Sequence, residues 1–121
     1  MGLTEITPQN YAKEVLESPL PTVIEFYSAD CDACKLLLPL MEKVSKDYNG
    51  KANFAKCERY GNSELARKYG IKVSSQIAVV YKDKLLGVFG GAMISTRGYG
   101  AVKEEFLKER VNKCLETLVK N

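Results

Sequence analysis

The spacing of apolar residues along the chain switches repeatedly between the short runs of a buried strand and the period of a helix. Gly2 to Ile6 predicts a short edge strand, and Thr7-Pro8 then reads as a helix cap followed by proline at the first helical position. Tyr11, Ala12, Val15 and Leu16 give that helix one apolar face, and Ser18-Pro19-Leu20-Pro21 ends it. Thr22 to Tyr27 is almost continuously apolar, as expected of a central strand covered on both faces; Glu25 interrupts it. Leu37, Leu40, Met41, Val44 and Tyr48 then recur at helical spacing until Asn49-Gly50. Ala52 to Cys57 predicts a further strand, and Asn62-Ser63 caps a short helix with Leu65, Ala66 and Tyr69 on one side and Gly70 at its end. Gln76 to Tyr81 and Leu85 to Phe89 form a hairpin around Lys82-Asp83-Lys84. The glycine-rich stretch from Gly90 to Gly100 predicts a mobile connection. Val102, Phe106, Leu107, Val111, Cys114, Leu115 and Leu118 make the apolar face of a last amphipathic helix.

The chemistry concentrates where the Val23–Tyr27 run gives way to Ser28-Ala29-Asp30-Cys31-Asp32-Ala33-Cys34. A strand, a short turn and a helix that opens on two cysteines is the arrangement predicted there. The first N–H groups of a helix lack partners within it and the dipole is positive at that end, so a thiolate is stabilised and Cys31 is the candidate reactive sulfur. Half of a zinc site also begins Cys-X-X-Cys, but the chain has no histidine and its other cysteines, Cys57 and Cys114, stand alone. A redox dithiol is the favoured reading. Cys114 on an apolar helix face and Cys57 at the end of a strand read as core-packing thiols.

Length and charge narrow the class. At 121 residues, 45% of them hydrophobic, the chain reads as one domain spanning residues 1–121. A balance of 18 basic against 15 acidic residues leaves +3, too small and dispersed to argue for nucleic acid. No run approaches the ~18 apolar residues of a membrane span, and the N-terminus lacks the regions of a signal peptide, so no membrane association and a cytoplasmic location are expected.

The segment V-I-E-F-Y-S-A-D-C-D-A-C-K-L-L-L-P resembles the active-site segment of the thioredoxin family, and Phe54-Ala55-Lys56, Lys68-Tyr69-Gly70-Ile71 and Gly91-Ala92 match it at compatible spacings. The resemblance implies an α/β, thioredoxin-like fold with a central mixed β-sheet flanked by about four helices. It also gives Glu25 a role. A lone carboxylate on a strand ordinarily turns to solvent. In thioredoxins, however, an acidic residue six positions before the first cysteine lies beneath the dithiol and relays protons, and Glu25 stands six before Cys31. Lys56 matches a family lysine near that carboxylate, where its charge would favour the ionised form; an ordinary surface lysine is an equal reading from the residues alone. Pro39 matches the proline inside the family's second helix.

Two departures follow. The family's cis-proline, in the loop facing the dithiol, falls at Ser75 or Gln76, neither of them proline. A cis bond before another residue costs ~3 kcal/mol, so this loop is expected to be all trans, and the substrate loop of Ser74, Ser75, Gln76 and Gly91 to be shaped differently. The family's tryptophan before the first cysteine is Asp30, and its glycine-proline between the cysteines is Asp32-Ala33. Asp32 suits the helix dipole, but Asp30 and Asp32 together disfavour a thiolate at Cys31 and shift the couple toward the disulfide.

The resemblance implies a reductase of protein disulfides in which Cys31 attacks, Cys34 resolves and Glu25 handles the proton, with Asp30, Asp32 and Lys56 modulating. It implies a monomer that needs no organic cofactor beyond the Cys31–Cys34 disulfide, acts on disulfide-containing proteins and is regenerated by a thioredoxin-reductase-like donor. Two alternatives stand beside it. One is a thioredoxin-fold module binding a metal or iron-sulfur cluster between subunits; the other is a non-catalytic adaptor whose disulfide switches a partner interface.

Overall fold

The computed structural model describes residues 3–90 and 100–119. Five strands form one mixed sheet: β1 (Thr4–Glu5), β2 (Thr22–Tyr27), β3 (Asn53–Glu58), β4 (Gln76–Tyr81) and β5 (Lys84–Gly90), in the order β1-β3-β2-β4-β5. β1 and β2 lie parallel to β3, while β4 runs antiparallel to both β2 and β5. Among the described residues four longer helical segments flank the sheet, Ala12–Leu16, α1 (Asp32–Ser45), α2 (Ser63–Lys68) and α3 (Gly100–Val119), with single 3₁₀ turns at Lys46–Tyr48 and Tyr60–Asn62.

β2 is central, and its alternation sorts the two cores. Val23 packs on one face with Phe54, Ile77, Val79 and Phe89, beneath Leu37, Met41 and Val44 of α1 and Leu107 and Val111 of α3. Ile24 and Phe26 pack on the other with Ala55, Cys57, Ala78 and Val80, against Val15 of the first helix and Ala66 of α2. Each such buried aliphatic or aromatic side chain contributes roughly 1.5–3 kcal/mol, so a central strand with both faces covered is strongly held. Gly87 on β5 serves the same packing: a β-carbon there would stand 2.6 Å from Cys114 Sγ, so the glycine is what admits α3's cysteine to the sheet. Cys114 is half-buried against the core, in keeping with a packing thiol.

Several local readings need correction. The first helix is wider than an α-helix, with Glu17 N–H reaching Ala12 O at 2.9 Å. Its start differs too: Asn10 N–H donates to Thr7 Oγ1 at 3.2 Å and Thr7 N–H to Asn10 Oδ1 at 2.8 Å, so Thr7 closes the turn before the helix, whose own cap, Tyr11, makes no side-chain capping hydrogen bond. Asn62 does not cap α2; its Nδ2 donates to Glu58 O at 2.8 Å, and Oδ1 has no partner. The hairpin turn is two residues, with Lys82 at φ 55°, so β5 begins at Lys84. Pro39 lies within α1, leaving the Lys35 carbonyl without its helical N–H. Most of the Gly90–Gly100 connection, Gly91 included, lies outside the described residues. Among the described residues, no helix is long and apolar enough to cross a membrane.

Candidate active site

The carboxyl end of β2 delivers the chain into the turn that carries both cysteines. Cys31 is the cap of α1, in extended conformation (φ −97°, ψ 104°), and its Sγ accepts the Cys34 N–H at 3.1 Å. Cys31 N–H is itself held by Ser28 O at 3.2 Å. The two cysteines are joined as a disulfide with Cα atoms 5.3 Å apart. They are not equivalent: Cys31 is partly open to solvent, whereas Cys34 is 1% exposed. On reduction, the orphan N–H groups and positive end of α1 face the Cys31 sulfur, which is the environment that favours a thiolate.

Glu25 is fully buried, on the same face of β2 as Val23, the face α1 covers. Its cross-strand neighbours are Lys56 on β3 and Ile77 on β4. Neither carboxylate oxygen has a hydrogen-bond partner. Burial therefore pushes its pKa up to about 9, with the charge of Lys56 pulling the other way. The solvent-facing reading of Glu25 is overturned, while Lys56, its cross-strand neighbour, stays partly exposed and makes no hydrogen bond to it. Lys56 Nζ lies 4.0 Å from Glu5 Oε1, over the Tyr27 ring, and Tyr27 Oη donates to the same glutamate oxygen at 2.7 Å.

Around the turn, Asp30 accepts a hydrogen bond from Ser28 Oγ at 2.9 Å, and Ser28 Oγ accepts one from Ser74 Oγ at 2.8 Å. This chain of hydroxyls brings the loop before β4 against the dithiol turn. Asp32 points to solvent, 3.8 Å from Lys35 Nζ. The loop itself has only trans peptide bonds. Ser75 is buried with φ 74° and donates its N–H to Phe26 O at 2.6 Å, a bond no proline can make. Gln76 opens β4, and its Oε1 accepts the N–H groups of Lys72 and Val73 at 2.6 and 3.1 Å. Of the expected loop residues, Ser74 alone is linked to the dithiol turn through its side chain; Gly91 lies outside the described residues.

Four residues of this neighbourhood escaped the sequence reading: Ser28, Glu5, Tyr27 and Arg59, whose Nη2 donates to Lys72 O at 2.6 Å. Ser28 carries the one local signal, a small polar residue between an apolar strand and a cysteine; the other contacts join distant segments. Cys57 is fully enclosed, and burial, reinforced by Glu5 and Glu58, pushes its thiol up to about 12, so it is inert at neutral pH. Among the described residues, no group of three or more histidine, cysteine, aspartate or glutamate side chains is placed to hold a metal ion.

The family model described as Thioredoxin matches residues 2–98. The chain belongs to the thioredoxin family. It is 35% identical to a protein named thioredoxin from Rickettsia bellii over 57% of its own length and 66% of that relative's. It is 33% identical to thioredoxin 2 of Chlorobaculum tepidum, over 74% of this chain and 82% of the relative. Against thioredoxin X, chloroplastic, of Arabidopsis thaliana the identity is 28%, over 97% of this chain and 60% of the relative. The match to a second Rickettsia thioredoxin, from Rickettsia felis, spans 64% of that protein, so the chain spans just under two thirds of the length of both Rickettsia relatives. The Cys31–Cys34 pair, at disulfide distance, lies within the segment that the family model covers.

Proposed function

We propose that this thioredoxin-family chain reduces disulfides in other proteins, and the unequal exposure of its two cysteines is the observation that carries the assignment of roles. Cys31, open to solvent at the positive end of α1, is the nucleophile. Its thiolate forms a bond to one substrate sulfur, the substrate S–S bond breaks, and the departing sulfur leaves as a thiolate that takes up a proton. Cys34, sealed from solvent, resolves the mixed disulfide: it gives up its proton, bonds to Cys31 Sγ and releases the second substrate sulfur. Two electrons pass from the dithiol to the substrate.

Glu25 is the proton relay for Cys34. A carboxyl with a pKa near 9 is mostly protonated at neutral pH, so it is a proton donor when the internal disulfide is reduced, and a base only in its ionised fraction. Lys56 and the pair Asp30 and Asp32 tune the two ends of this path. No organic cofactor takes part; a thioredoxin-reductase-like donor regenerates the dithiol, in the cytoplasm, on a monomer.

The test is trapping. Cys34→Ser should accumulate a covalent adduct with a disulfide-bearing protein that dithiothreitol releases, and Cys31→Ser should accumulate none. An anaerobic preparation that is coloured and dimeric, and inert toward disulfides, would instead support a cluster held between subunits.

A further inference from the structure

Resting on the reductase reading above, we infer the class of substrate this site takes: a disulfide-bearing protein segment in which an apolar side chain stands next to an acidic one, docked on Arg59, Tyr60, Arg67, Lys72 and Val73. The surface is built by lacing two loops together. Arg59 follows β3 directly, and its N–H is held by Tyr27 O at 2.7 Å, at the end of β2. The Arg59 guanidinium lies 5.0 Å from the Tyr60 ring centroid, donates to Tyr60 Oη at 3.2 Å and reaches across to Lys72 O at 2.6 Å. From Lys72 and Val73 the chain runs into Ser74, which is tied to Ser28 and so to the turn that holds Cys31. The surface is therefore tied, through that loop, to the turn that carries the dithiol.

Three observations define what it accepts. Tyr60 and Val73 are 64% and 56% exposed, unusually open for large apolar side chains on adjoining loops. Between Arg59 and Arg67 lies a cavity of about 200 Å³ walled by Tyr60 and floored by the buried Ala66 and Ile71, which suits an apolar side chain. Its rim is cationic. Among the described residues no carboxylate forms an ion pair with Arg59, Arg67 or Lys72; the acid next in sequence, Glu58, is occupied by the N–H groups of Gly61 and Tyr60 at 2.6 and 3.4 Å.

Polarity fixes the direction of the bound segment. Asp32 belongs to α1, on one face of the sheet, and the cations belong to α2 and its flanking loops, on the other. An acidic flank is attracted toward Arg59, Arg67 and Lys72 and repelled from Asp32.

Three synthetic peptides with one intramolecular disulfide, identical except for Phe-Glu, Phe-Ser or Phe-Lys beside one cysteine, test this with the full chain and dithiothreitol as terminal reductant. The expected order of kcat/KM is Glu over Ser over Lys, roughly tenfold from first to last at low ionic strength and shrinking in salt. The order should invert in Arg67→Glu/Lys72→Glu, which leaves Arg59 to hold the loops. Equal rates, or an order that survives the charge reversal, overturn the substrate class while leaving the reductase standing. Reduction of none of the three overturns both.

Discussion

Glu25 and Lys56 stand opposite one another on adjacent parallel strands, yet the lysine ammonium is drawn outward to Glu5, and both carboxylate oxygens of Glu25 are left without a partner. A carboxylate in that position is costly when charged, so the folded chain holds Glu25 protonated up to about pH 9. In the unfolded chain it ionises near its ordinary value of 4.5. Unfolding therefore releases a proton between these limits. The stability contributed by the neutral form is complete below about pH 4.5 and is lost as pH rises through about 9.

The expected slope from this one group approaches about 1.4 kcal/mol per pH unit. Denaturant midpoints of the wild type and Glu25→Gln, followed by circular dichroism from pH 5 to 9, measure it: stability of the wild type should fall relative to the variant. A wild type that gains on the variant with rising pH would place Glu25 in a charged, paired state instead.

Asp30 and Asp32 flank Cys31 but are held differently, Asp30 by the Ser28 hydroxyl and Asp32 by no more than a long contact to Lys35. Replacing both with asparagine should speed alkylation of reduced Cys31 at pH 7 by roughly two- to fivefold at low salt, with the larger share from Asp30 and little left in high salt. Rates that fall, or that ignore salt, would contradict an electrostatic effect.

Ser75, one of the two positions at which the family's cis-proline falls, has φ 74° and a backbone N–H in use. A serine in the left-handed region costs about 1–2 kcal/mol. Ser75→Gly should accordingly stabilise the fold by about 0.5–1 kcal/mol, and Ser75→Pro should destabilise it by about 3 kcal/mol or more, since proline fits neither the φ nor the hydrogen bond. Thermal unfolding distinguishes the two; a proline variant as stable as wild type would mean that the loop takes the family's geometry.

Gly87 and Cys114 form a size-matched pair across β5 and α3. Gly87→Ala should cost about 1–3 kcal/mol, and Cys114→Ala should recover a large part of that loss in the double variant. Additive losses would mean that the two positions do not meet.

The sheet, the helix behind the dithiol and the place of Cys31 at its start were legible because each rests on local periodicity and on one short motif. The burial of Glu25 was not: its neighbours in sequence are apolar whether the strand faces core or water, and the family resemblance supplied the answer that spacing could not. The hydroxyl chain from Ser74 through Ser28 to Asp30 and the Arg59–Lys72 link are invisible in sequence, since their partners lie 46 and 13 residues apart. Asn62 misled for a related reason: its side chain found a backbone carbonyl on β3 before it could cap α2.

Disulfide reduction by this chain requires a reactive thiolate at Cys31, created by the start of α1. The most direct measurement is the order in which the four thiols of the reduced, folded protein react with iodoacetamide, resolved by peptide mass spectrometry across pH. Cys31 should be modified first and already near neutral pH, with Cys34 far slower and Cys57 untouched until the chain unfolds. A Cys31 that reacts no faster than Cys34 or Cys57 would contradict the account.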